Sequence, residues 1–330
     1  MKHPPYHLRT NKAVDRLLLA EIIRALGPNY EEFTYYSLAG PFLEDLRVID
    51  HFFPEIRIVS LESNEQTFKR QEFNRFSSRI ELLHTTLADF LIHLYSPGTR
   101  DIFWLDYTDL KYQRFDEFQH VLKLVPPGSV IRITLRAEPE IDLDSLEDKL
   151  SEEELRRVRE EIEKTFTEEF DKVLPHSSEN SAFLKPTKFA RMVQLMVRRA
   201  ASTALDTTGN TVDYLPVQST YYNDNTQMIS VTGIVCLRTE MERTREKLKS
   251  VRRVDFDWGE PHRIDIPALS VKERLHLERH LPVASNQDAG EVLWQALQYM
   301  IDQSVNRSKR QLAHYADCHR EYPNFIRISI

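Results

Sequence analysis

The chain has little glycine, almost no cysteine and no long apolar run, and each shortage narrows what it can be. Eight glycines in 330 residues leave no glycine-rich phosphate loop. No Walker pattern occurs, and Gly40 stands alone at a strand-to-helix turn where a nucleotide-binding turn usually carries two or three glycines. Two cysteines, Cys236 and Cys318, build neither a disulfide framework nor a zinc cluster by themselves, and both are expected as free thiols. The longest apolar runs, such as 130–135, fall far short of the roughly 20 residues a bilayer-spanning helix needs. No apolar signal core follows Met1-Lys2-His3-Pro4-Pro5, so a cytoplasmic place with no membrane association is expected. Positive charge is in deficit too: 44 Lys and Arg against 51 Asp and Glu give a net charge of -7. That balance argues against a nonspecific nucleic-acid coat, although it leaves room for a local basic face. Gly-x-Ser-x-Gly and Cys-x-x-Cys are absent, and His276 and His280 have helical spacing without the glutamate of a zinc-protease motif.

What is present is the material of a large core, with 41% of residues hydrophobic and 29% charged. Apolar runs at 34–39, 56–61, 101–105 and 130–135, with 79–83 as a fifth, read as strands. Between them, 41–53, 64–76, 86–95 and 112–125 carry apolar residues at helical spacing. This alternation predicts a parallel α/β sheet. A helix from Asn11 to a stop at Gly27-Pro28 precedes it. Residues 140–172 then hold fourteen acidic against six basic residues, an acidic helical insertion. An apolar helix with a basic flank follows over 183–204, carrying Lys185, Lys188, Arg191, Arg198 and Arg199. Runs at 214–222 and 228–237 around Asn223-Asp224-Asn225-Thr226 read as an antiparallel hairpin. The remainder is mainly helical, with Ser270 capping 271–280, a helix near 291–305 and a last strand at 323–330. The expected division is a Rossmann-like domain from 1–139 and 181–238, an acidic insertion at 140–180 and a helical extension at 239–330.

In a doubly wound sheet, ligands bind beyond the carboxyl ends of the strands. Ala39 and Gly40 follow the first strand and form either a cofactor turn or a plain tight turn. Glu62 follows the second, 22 residues after Gly40, where a carboxylate accepts hydrogen bonds from ribose hydroxyls; a helix-capping acid is the alternative. Asp89 follows the third, as an adenine partner or as a helix-start acid. The sharpest feature is Phe103-Trp104-Leu105-Asp106-Tyr107-Thr108-Asp109, a strand ending in two acids and a tyrosine. Asp106 can bind an ammonium group or act as a base, with Tyr107 and Asp109 beside it. No further oxygen ligands accompany these acids, so no metal is expected. The absence of prolines after Asp106 disfavours methylation of a DNA base. The basic flank at Arg198 and Arg199 can meet phosphates or a protein partner, nucleic acid being the less favoured.

A parallel sheet followed by a helix and a hairpin is the element order of class I methyltransferases. Three segments carry a closer resemblance: residues 6–16 (Tyr-His-Leu-Arg-Thr-Asn-Lys-Ala-Val-Asp-Arg), Glu72-Phe73-Asn74-Arg75 and Trp104-Leu105-Asp106-Tyr107. Thr232-Gly233 within 228–235, and Ile266-Pro267-Ala268-Leu269-Ser270 leading through Glu273-Arg274 to Leu281-Pro282, extend it over most of the chain. In these the sequence resembles a bacterial family of O-methyltransferases. The resemblance implies S-adenosylmethionine as cofactor, a basic pair at Arg9 and Lys12, and an acid at Glu62. Where such proteins tend to have Gly-Ser-x-Tyr-Phe after the first strand, this chain has Ala39-Gly40-Pro41-Phe42-Leu43. The expectation is therefore an S-adenosylmethionine-dependent methyltransferase of unknown acceptor. The alternative is a noncatalytic methyltransferase-fold interaction protein of a multi-gene bacterial system such as phage defence, its partner held by the acidic insertion or the basic helix.

Overall fold

The computed structural model describes residues 9–139, 150–175, 186–206, 209 and 211–322. The expected strand at 323–330, residues 6–8, 140–149 and 176–180, and the start of the basic helix including Lys185 lie outside them.

Five strands, β1 (Phe33–Ser37), β2 (Arg57–Glu62), β3 (Ile80–His84), β4 (Arg100–Asp106) and β5 (Val130–Arg136), arise from the five predicted runs. They alternate with α2 (Glu44–Phe52), α3 (Glu65–Asn74), a short α4 (Leu87–Asp89) and α5 (Tyr112–Leu124); α1 (Thr10–Ala25) precedes them. β4 is buried continuously over its middle residues, as expected of a parallel strand covered on both faces. After α6 (Glu152–Phe170) and α7 (Pro186–Leu205), β6 (Val212–Asn223) and β7 (Gln227–Leu237) form the hairpin, with Asn225 at φ 101 in its turn. The sheet runs β3-β2-β1-β4-β5-β7-β6-β8, the last being the three-residue β8 (His262–Ile264). β1 pairs in parallel with β2 on one side and β4 on the other, and β7 pairs antiparallel with β5. The order thus reverses between β1 and β4. Gly233 of β7 is required by packing: a Cβ there would enter the ring of Tyr214, whose hydroxyl donates to the Ile131 carbonyl at 2.9 Å.

Each face of the sheet has its own core. Phe103, Leu105, Phe115, Phe118, Ile133 and Val193 belong to one, and Ile22, Tyr35, Leu46, Ile58, Ile102 and Trp104 to the other. The insertion helix α6 opens with a Ser151–Glu154 capping box and docks through Phe170, which meets Phe115 edge to face.

Three helices differ from expectation. The helix expected from residue 41 begins at Glu44, because Leu43 is left-handed (φ 56) and breaks the run. The one expected over 86–95 is α4 continued by a π-helical turn, Phe90–Leu94. The one near 291–305 is two: α10 (Ala289–Leu297) ends where Gln298 turns left-handed (φ 60), and α11 (Val305–Cys318) starts anew under the Ser304 cap. α8 (Met241–Leu248) follows β7, and α9 (Val271–Leu277) carries the expected Ser270 cap as a capping box with Glu273.

The chain divides into two compact units, one from Leu19–Tyr221 and Thr226–His262, the other from Met1–Leu18, Tyr222–Asn225 and Arg263–Ile330. These bounds differ from 1–139 with 181–238, 140–180 and 239–330. Leu248 and Val251 join the sheet's own core, which carries 239–262 into the larger unit. In the smaller unit the start of α1 is tied by side chains: Asn11 donates to Asp224 Oδ1 at 2.9 Å, and its Oδ1 accepts from the Ile266 N–H at 2.8 Å. There α10 and α11 approach so closely that a Cβ on Gly290 would meet the Lys309 carbonyl. No helix among the described residues is long and apolar enough to cross a membrane.

Candidate active site at the carboxyl ends of the strands

Parallel pairing lays the ends of β2, β1 and β4 side by side. Ser37 pairs with Ser60 and with Trp104, so the loop after β1 lies between Glu62 and Asp106. This is the crevice where the strand order reverses, the place where open α/β sheets bind ligands. Sequence reasoning placed Ala39, Gly40, Glu62 and Asp106 at it, and the structure brings these four to the same end of neighbouring strands.

The loop after β1 is held from outside by α3. Buried Gln71 donates to the Ala39 carbonyl and accepts from the Ser60 hydroxyl at 3.2 Å. Asn74 donates to the Pro41 carbonyl at 2.8 Å, and the Arg70 guanidinium lies 4.9 Å over the Phe42 ring. Below the loop, Asp45 accepts from Tyr35 at 3.0 Å and from Ser37. Burial, then Asp45, pushes the Tyr35 hydroxyl well above the ordinary tyrosine value, and Asp106 acts in the same direction. Gln71, Asn74 and Asp45 are residues the sequence reading missed as parts of this loop. Asn74 stands within the family-like motif Glu72-Phe73-Asn74-Arg75, and Gln71 directly precedes it.

Glu62 is half-buried; its Oε1 accepts from the Asn64 N–H at 2.6 Å, and Asn64 itself caps α3. Asp89 is exposed and shares a reciprocal cap with Thr86, whose hydroxyl donates to Asp89 Oδ2 at 2.7 Å. It follows β3, one strand further from the reversal.

The three residues grouped after β4 separate in space. Asp106 is half-exposed at the strand end, paired with Thr134 of β5. Tyr107 turns inward instead: it is 6% exposed, and its hydroxyl donates to Glu117 at 2.6 Å with the Arg114 guanidinium over its ring. Burial, then Glu117, holds this phenol well above its usual range. This buried hydroxyl keeps its proton and is committed to a carboxylate, which ties Tyr107 into the packing beside the strand end. Asp109 takes both Arg114 nitrogens, at 2.9 and 3.1 Å, and Lys111 at 3.4 Å. Burial alone would raise its carboxyl, but the two cations outweigh that and hold it below the ordinary value. A bidentate ion pair that pins the loop makes this carboxylate a poor base.

The candidate partner residues scatter. Lys12 is buried, and its backbone N–H donates to Asp224 at 2.9 Å; the Arg9 carbonyl accepts the α1 bond from Ala13. Arg199 donates to the Leu174 carbonyl, so it serves the packing of α7, while Arg198 stays exposed. No group of three or more metal-ligating side chains occurs among the described residues.

Five parallel strands, a reversal between β1 and β4 and an antiparallel β7 between β5 and β6 define a class I methyltransferase fold. The chain belongs to the family described as "Putative O-methyltransferase", whose model matches residues 4–330. No curated protein matches it as a relative. Among solved structures it is similar to the plantazolicin methyltransferase BpumL in complex with SAH, at 10% identity over 67% of this chain and 84% of that one, with a TM-score of 0.39. It is also similar to the fibrillarin pre-rRNA processing protein of Methanococcus jannaschii, at 9% identity over 62% of this chain and 67% of that one, with a TM-score of 0.32.

Proposed function

We propose that this chain is an S-adenosylmethionine-dependent methyltransferase acting on an oxygen acceptor, with its cofactor held at the carboxyl ends of β1, β2 and β4. The observation that carries the reading is Glu62. It ends β2 beside the clamped loop, and only its Oε1 is engaged, leaving Oε2 without a partner among the described residues. That is the acceptor chemistry a ribose diol requires, two hydroxyls donating to one carboxylate. Family membership supports the same reading.

Ala39 and Gly40 would form the floor of the site, where the missing side chain of Gly40 lets a ligand approach the backbone. Asp89 retains Oδ1 for an adenine amino group. When bound, the cofactor supplies an electrophilic methyl group on a sulfonium. Asp106, at the end of β4, would bind an ammonium group or receive the proton that a hydroxyl acceptor gives up as its oxygen is alkylated. The remaining task is alignment, for which a fixed loop is worth more than an extra charge. Two buried thiols, Cys236 and Cys318, fit action in the reducing cytoplasm.

Calorimetry with S-adenosylmethionine and S-adenosylhomocysteine tests this. Micromolar binding should weaken at least about tenfold in Glu62→Ala, a loss of about 1.4 kcal/mol or more. Folded protein that gives no heat with either ligand would overturn the reading and favour the noncatalytic one.

A further inference from the structure

A polar cavity lies at the end of the sheet opposite the candidate active site. It has a volume of about 120 Å³ and is lined by Arg100 at the start of β4, Gly128 before β5, Glu240, and Arg243, Thr244 and Lys247 of α8. That is roughly ten times the space one water needs. Three cations face it against one lining carboxylate.

The cations are held there by the fold. Arg243 and Lys247 sit four residues apart on α8 and therefore share a face. Arg100 is positioned from below: its guanidinium lies 5.6 Å from the Phe33 ring and 3.5 Å from Glu32. Gly128, at φ 93, leaves Arg100 its room, since a Cβ there would come within 3.2 Å of its Nε. Arg100 shares its charge with Glu32, whereas the two cations of α8 are not neutralised by an ion pair among the described residues. Arg243 is exposed and has no ion pair or hydrogen bond among the described residues, and Lys247 reaches only the Leu26 carbonyl, at 3.4 Å.

We propose that this cavity binds a phosphate-type oxyanion, with Arg243, Lys247 and Arg100 as its ligands. A tetrahedral oxyanion offers acceptors on every side, so cations from two elements engage it together, and arginine suits it through paired N–H donors. Partly solvated charge pairs are weak individually, so inorganic phosphate binds weakly and diphosphate, with its greater charge, more tightly. The site is separate from Glu62 and Asp106 and does not depend on the methyl-transfer reading.

The test is titration of the full-length chain with inorganic phosphate and diphosphate at low ionic strength, beside the double variant Arg243→Glu, Lys247→Glu. Both positions are exposed on α8, and circular dichroism verifies the fold of the variant. Saturable binding that falls about tenfold or more in the variant, and by a lesser step in Arg100→Gln, supports the site. Wild-type protein that shows no saturable binding, or the same affinity in the double variant, overturns it.

Discussion

The acids after β4 show how little residue type says about role. Asp106, Tyr107 and Asp109 stand within four positions, yet one is half-buried at the strand end, one is sealed against Glu117 and one is clamped by Arg114. Tyr107→Phe separates packing from chemistry. It removes the 2.6 Å bond to Glu117 and leaves the Arg114 contact at 3.3 Å. The expected cost is about 1 kcal/mol in urea unfolding, with S-adenosylmethionine affinity retained. A tenfold loss of affinity at unchanged stability would return Tyr107 to the site, being about 1.4 kcal/mol of binding.

At the level of elements, α3 acts as a brace. Its Arg70, Gln71 and Asn74 all reach the loop after β1. Gln71→Leu keeps the side-chain volume but leaves the Ala39 carbonyl and the Ser60 hydroxyl unpaired in a buried place. The expected penalty is about 1–3 kcal/mol of stability. Cofactor affinity should fall with it, because the loop loses its anchor. Equal affinity in calorimetry of Gln71→Leu would show that the loop holds its shape without α3. The left-handed Leu43 at the start of α2 belongs to the same arrangement: a non-glycine residue keeps that conformation only where its surroundings enforce it, and Leu43 is fully buried.

For the molecule as a whole, buried phenols set the response to alkali. Burial holds Tyr35, Tyr107 and Tyr214 above the ordinary tyrosine value in the folded chain. The unfolded chain therefore releases these protons first as pH rises. Stability from the three is complete below about pH 10 and declines above it, by up to about 1.4 kcal/mol per pH unit for each. Urea midpoints should fall gently from about pH 8.5, where the Cys236 thiol ionises in the unfolded chain, and drop more steeply beyond about pH 10. A flat profile through that range would mean these phenols ionise in place. Cys236 adds to the same slope, its thiol pushed up to about 11 by burial.

The sequence by itself determined the elements. Apolar periodicity placed five strands and the hairpin, and Ser270 with Glu273 marked a helix start, because these depend on residues a few positions apart. It also placed Gly40, Glu62 and Asp106 at strand ends, which is a matter of where each apolar run stops. The tertiary structure decided which of those groups remain available. Gln71 meets Ala39 across 32 positions, and Lys12 meets Asp224 across 212. Burial and hydrogen bonding are set by such distant partners, so a capping acid, a clamped acid and a half-buried acid at a strand end look the same until the chain has folded.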